Sequence, residues 1–106
     1  METKNENIFL KTNKMGAQEI YIFDKFDDGV AEELIELLLI FLDEKKTVEI
    51  HLEKVTALSS FPIGVLIKFS KEFFDSGNLL KIYMTKFSFD RSSRKHLFKG
   101  LNICYV

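Results

Sequence analysis

The chain has 106 residues, of which 46% are hydrophobic and 29% charged, with one proline and a net charge of −1. This is enough for one hydrophobic core but not two, so residues 1–106 are expected to form a single domain. The composition is globular and argues against disorder, and the near-neutral charge argues against a dedicated nucleic-acid binder.

Residues 1–7 are polar and hold no apolar signal core. Ile8-Phe9-Leu10 and Glu19-Ile20-Tyr21-Ile22-Phe23 are then expected as two short strands, joined hairpin-fashion through Met15-Gly16-Ala17. Asp24 to Gly29 reads as a turn, with Asp27 or Asp28 as N-cap of the following helix. That helix spans Val30 to Glu44, with Leu34, Leu37, Leu38, Phe41 and Leu42 recurring at helical period as a core stripe. Ile35, Leu39 and Ile40 lie outside the stripe, and Ile40, between Glu36 and Asp43, is expected to be partly exposed. Its run, Leu37 to Leu42, is the longest apolar one and is far too short to cross a bilayer, so the expected location is cytoplasmic.

Thr47 to Leu52 alternates cleanly: Val48, Ile50 and Leu52 face one way, Glu49, His51 and Glu53 the other. Strands covered on both faces read as continuous apolar runs, so this alternation predicts helices mainly on one face of the sheet. Ile63 to Ser76 is the second main helix, with Ile63, Leu66, Ile67, Phe73 and Phe74 at core spacing and Gly77 past its end. Leu79 to Met84 is the next strand. Ser88 can cap a third, basic helix carrying Arg91, Arg94, Lys95 and Lys99 and ending at Gly100, and Leu101 to Val106 is the last strand. The order β-β-α-β-α-β-α-β predicts an α/β fold on a mixed sheet, its parallel part built from the later strands.

Charge is unevenly placed. Residues 1–53 hold thirteen Asp/Glu and six Lys/Arg, and residues 54–106 hold three and nine. Such a chain can orient a charged partner or another copy of itself, unless folding mixes the two halves.

The stretch Val55-Thr56-Ala57-Leu58-Ser59-Ser60-Phe61-Pro62-Ile63-Gly64-Val65-Leu66 brings two adjacent hydroxyls to the start of a helix. Backbone N–H groups there have no intrahelical partner, and the dipole favours negative charge. A serine at this place is either a plain cap, worth about 1 kcal/mol, or a hydroxyl whose phosphate meets favourable charge. Pro62 suits the first turn.

Leu58 to Leu66 resembles the signature of the STAS domain, whose simplest members are bacterial anti-sigma factor antagonists: a hydrophobic residue, then Asp-Ser-Ser-Gly-hydrophobic-Gly-hydrophobic-Leu. Ala31 to Asp43 with Val48 to Thr56, Phe73 to Leu80 with Ser76-Gly77-Asn78, and Leu97-Phe98-Lys99-Gly100-Leu101 are similar to further parts of the family, in the same order. The resemblance implies a STAS-like mixed sheet and a module that is not an enzyme. It also implies phosphorylation of Ser60, Ser59 being the less favoured acceptor, with Ser59, Ser60, Phe61, Pro62 and Ile63 facing a partner. That partner is implied to be an anti-sigma factor that is also a serine kinase, with a phosphatase resetting the switch. A weak homodimer is compatible with the scheme. Three signature positions differ, with Ser59 for Asp, Phe61 for the second Ser and Pro62 for Gly, and His51 replaces an aspartate common late in the third strand. Proline removes one N–H that could cradle a phosphate. The other reading is therefore a degenerate member of the fold: an unphosphorylated scaffold, complex subunit or small-ligand carrier.

No cofactor or metal is expected. His51 and His96 stand on different elements without Cys or paired carboxylates at ligand spacing and read as solvated surface residues. Cys104 has no disulfide partner and reads as a buried core thiol in a reducing compartment. The basic helix around Arg91 to Lys99 reads as a solvated face rather than a nucleic-acid site.

Overall fold

The computed structural model describes residues 3–85 and 103–105. Strand β1 (Ile8–Thr12) pairs antiparallel with β2 (Gln18–Phe26), the connection turning at Gly16 with φ +85°. Helix α1 (Asp28–Asp43) leads to β3 (Val48–Leu58), helix α2 (Ser60–Asp75) to β4 (Leu80–Met84), and β5 (Ile103–Tyr105) completes the sheet. The sheet order is β1-β2-β3-β4-β5, with β2 to β5 mutually parallel. The mixed sheet expected from the sequence is present, and its parallel part already begins at β2. The basic helix expected after Ser88 lies outside the described residues.

The core follows from the alternation. Ile20, Ile50 and Ile82 are register partners on adjacent strands, all fully buried, and they join Leu34, Leu38, Leu66 and Phe73 from both helices in one cluster. Among the described residues, both helices therefore cover the same sheet face. Of the two expected candidates, Asp27 caps α1, its Oδ1 accepting from Val30 N at 3.1 Å. Helix α2 ends at Asp75 with Ser76 as its C-cap, and Gly77 takes φ +80° so that Asn78 N can donate to the Phe73 carbonyl at 2.8 Å. A side chain at Gly77 would strain that turn.

Several expectations are corrected. β2 continues through Asp24, Lys25 and Phe26, and β3 continues to Leu58, because the two strands go on pairing beyond bulges as far as Phe26–Leu58. α2 begins three residues earlier than expected, at Ser60. Its buried arc holds Pro62, Ile63, Val65, Leu66, Phe69 and Phe73, which turns Ile67 and Phe74 outward; Phe74 is 81% exposed. Phe74 stands about 100° around the helix from Phe73 and falls outside this arc. Ile40 is partly exposed, as expected.

Candidate functional site

Parallel strands β2 and β3 deliver their C-terminal ends side by side, which places the turns entering α1 and α2 next to each other. Thr56 Oγ1 donates to the Asp24 carbonyl at 3.2 Å, and Ser59 Oγ donates to Asp28 Oδ1 at 3.4 Å. Asp24 adopts φ +59°, a left-handed conformation that Asp tolerates better than most residues. Ser59 is the N-cap residue of α2, with extended backbone, but its side chain makes no capping bond. Its hydroxyl is turned to Asp28 instead. α2 has no acidic residue in its first turn and no capping bond from Ser59, whereas α1 is capped by Asp27 and carries Asp28.

The five sequence candidates divide by exposure. Ser59, Ser60 and Phe61 are at the surface, and Pro62 and Ile63 are buried under the helix start. Pro62 and Ile63 thus anchor the helix start and leave Ser59, Ser60 and the half-exposed Phe61 ring at the surface. Asp28 is the neighbour that sequence reading missed as part of this site. It stands 31 residues from Ser59, and only its capping propensity was visible locally. In space it supplies a carboxylate to the turn where the STAS signature has its aspartate in the chain.

The sheet face opposite the helices carries a second feature. Tyr21, His51 and Tyr83 are register partners on β2, β3 and β4. The His51 ring is stacked on Tyr21 at 4.4 Å and on Tyr83 at 4.6 Å, with interplanar angles of 14° and 4°. Its Nε2 lies 3.5 Å from Glu49 and its Nδ1 3.2 Å from Glu53. The side chain is only 14% exposed, so His51 is not the solvated residue expected from sequence. Alternation put it on the outer face correctly, but the ring spacing of adjacent strands closes both its faces. His96 lies outside the described residues. Cys104 pairs with Tyr83 in the ladder and is half-buried, because it falls on this outer face and not in the core. Among the described residues, no group of three His, Cys, Asp or Glu is placed to hold a metal ion, and no helix is long and apolar enough to cross a membrane.

Tyr21 donates its hydroxyl to Glu19 Oε1 at 2.6 Å. This bond, followed by burial and nearby carboxylates, pushes the Tyr21 phenol up to about 12, and the same bond holds Glu19 below the ordinary carboxylate value. A phenol held protonated in the folded state stabilises it below the ordinary value of 10.0, and the contribution is lost as pH rises from there to about 12. Spectrophotometric titration is expected to show Tyr21 ionising near pH 12, and Glu19→Ala, which removes the acceptor, should move it down toward 10. An unchanged titration in Glu19→Ala would mean that the bond is absent.

Among solved structures, the chain is similar to the anti-sigma factor antagonist SpoIIAA in its unphosphorylated form. The identity is 13% and the TM-score 0.73, over 93% of this chain and 88% of that one. The fold is SpoIIAA-like. A second similar structure is an uncharacterised DUF3478-family protein from Shewanella loihica PV-4, also with a SpoIIAA-like fold, at 12% identity and TM-score 0.60 over 100% of this chain and 90% of that one. No family model and no curated protein matches the sequence. The STAS-like fold expected from the signature is borne out. At such low identities the SpoIIAA-like likeness carries the fold alone, so function has to be argued from the residues.

Proposed function

We propose that the chain is a regulatory protein-binding module, similar in role to an anti-sigma factor antagonist, that changes partners when Ser60 is phosphorylated. The observation that supports this reading is the state of the α2 start. Ser60 is exposed on its first turn, and the Ser59 side chain does not cap the helix, since it is turned to Asp28. The plain-cap alternative for Ser59 is thus not in use. A phosphate there adds roughly −1.5 to −2 charges, which the helix terminus attracts and Asp28 repels. The reading names an anti-sigma factor that is also a serine kinase as partner, with a phosphatase to reverse the change and Ser59 as the lesser acceptor. The module itself does no chemistry.

Phe61 and Pro62 favour a second reading, an unphosphorylated scaffold, subunit or small-ligand carrier. Pro62 offers no N–H to a phosphate, and the half-exposed Phe61 ring suits a permanent apolar contact. Affinity capture from the native cell separates the two. In the switching reading, wild type and Ser60→Ala recover a kinase-like ATPase, and Ser60→Asp recovers at least about tenfold less, as expected when a charge meets a packed interface. Equal recovery by Ser60→Asp would discard the switch. Intact-mass measurement after expression with that ATPase should then show one phosphate on wild type and none on Ser60→Ala.

A further inference from the structure

We infer that Asp28 is the specificity-determining residue of the α2 turn: its carboxylate closes Ser59 to phosphate and leaves Ser60 as the acceptor. The inference rests on the switching reading and names what decides between its two serines. Local chemistry does not decide between them. Ser59 and Ser60 are adjacent, both are exposed, and both stand at a helix start that favours negative charge.

The two neighbouring helix starts explain why Ser59 is turned away from its own helix. A capping side chain accepts from the second or third helical N–H. In α1 the cap is Asp27 and the third helical residue is Val30, whose N–H donates to Asp27 Oδ1 at 3.1 Å. In α2 the cap position is Ser59 and the third helical residue is Pro62, which has no N–H. The Ser59 hydroxyl therefore lacks the donor that Asp27 uses. It donates instead to Asp28 Oδ1 at 3.4 Å, across the gap between the two turns. Thr56 Oγ1, bonded to the Asp24 carbonyl at 3.2 Å, ties the same two turns together. Asp28 is held as the first residue of α1, and no base pairs with its carboxylate among the described residues.

In the transfer, a serine Oγ bonds to the γ-phosphorus of ATP, the bond from that phosphorus to ADP breaks, and the hydroxyl proton leaves to a base of the kinase. At Ser59 this sets roughly −1.5 to −2 charges within one bond of an oxygen that already touches a carboxylate. Like charges about 4 Å apart repel even in water, and a doubly charged phosphate doubles the effect. The Ser60 hydroxyl makes no hydrogen bond to Asp28 or to any other group among the described residues. Asp28 acts on a phosphate at either serine, and most on the one whose oxygen it touches.

Locating the phosphate by fragmentation mass spectrometry, with the ATPase captured by the wild-type chain as kinase, tests the proposal. Wild type is expected to carry phosphate on Ser60, and Ser60→Ala on neither position. Ser60→Ala/Asp28→Asn should gain at least about tenfold in phosphate on Ser59, and Ser60→Ala/Asp28→Glu should not, since Glu keeps the charge. A second arm needs no kinase. Chains built with phosphoserine at position 59 or at position 60 are titrated by phosphorus NMR, where a phosphate ordinarily loses its second proton near about pH 6. The midpoint at position 59 should lie about 1 pH unit above that at position 60, and Asp28→Asn should remove the difference. Phosphate on Ser59 of wild type, or none on Ser60→Ala/Asp28→Asn while wild type is modified on Ser60, would overturn the proposal and leave the switching reading standing. Equal midpoints at the two positions would overturn it as well. No phosphate on any variant would overturn the switching reading, and this proposal with it.

Discussion

Phe73→Ala is expected to lower the unfolding free energy by about 3–5 kcal/mol, the usual cost of emptying a buried phenylalanine site. Its neighbour Phe74→Ala should change stability by about 0.5 kcal/mol or less, as surface substitutions do. Phe73 is fully buried in the cluster between α2 and the sheet, while Phe74 is 81% exposed. The Phe73 carbonyl also accepts from Asn78 N and from Ser76 Oγ at 2.9 Å, so the ring packs beside the turn that ends the helix. Chemical denaturation of the two single variants checks this. Equal losses would mean that α2 is rotated from the orientation described.

His51 gives the second large effect. His51→Ala removes two stacked ring contacts and is expected to cost about 1–3 kcal/mol, each aromatic pair being worth about 0.5–1.5 kcal/mol beyond the buried area. His51→Asp, which restores the residue common in the STAS family, should cost more than His51→Ala. It loses the same stacking and adds a carboxylate between Glu49 and Glu53, where like charges on one strand face repel. Thermal unfolding of the two variants at neutral pH gives the order directly. A more stable His51→Asp would show that the stack contributes nothing and that the acidic neighbours are screened.

The two effects also show where sequence reasoning reaches its limit. The alternation of Val48, Ile50 and Leu52 against Glu49, His51 and Glu53 was legible, because a pleated strand sends successive side chains to opposite faces regardless of its neighbours. Which residues close over His51 was not. Tyr21 and Tyr83 lie 30 and 32 residues away, and only strand register aligns them. Likewise, the α2 apolar pattern Ile63-Leu66-Phe73 was legible, but a helix with eight large apolar residues in sixteen allows more than one buried arc. Contact with the sheet selected Phe69 and Val65 and turned Ile67 and Phe74 out.

At the candidate site the division is the same. The sequence alone determined that two hydroxyls stand at a strand-to-helix turn, that Asp27 or Asp28 caps α1, and that a STAS-like order of elements follows, because capping, periodicity and turn chemistry are local. The tertiary structure decided that Ser59 turns to Asp28, that α2 is left uncapped, and that Pro62 and Ile63 are buried while Ser60 and Phe61 are not. These outcomes rest on the parallel pairing of β2 with β3, which brings side chains some thirty residues apart within reach of one another.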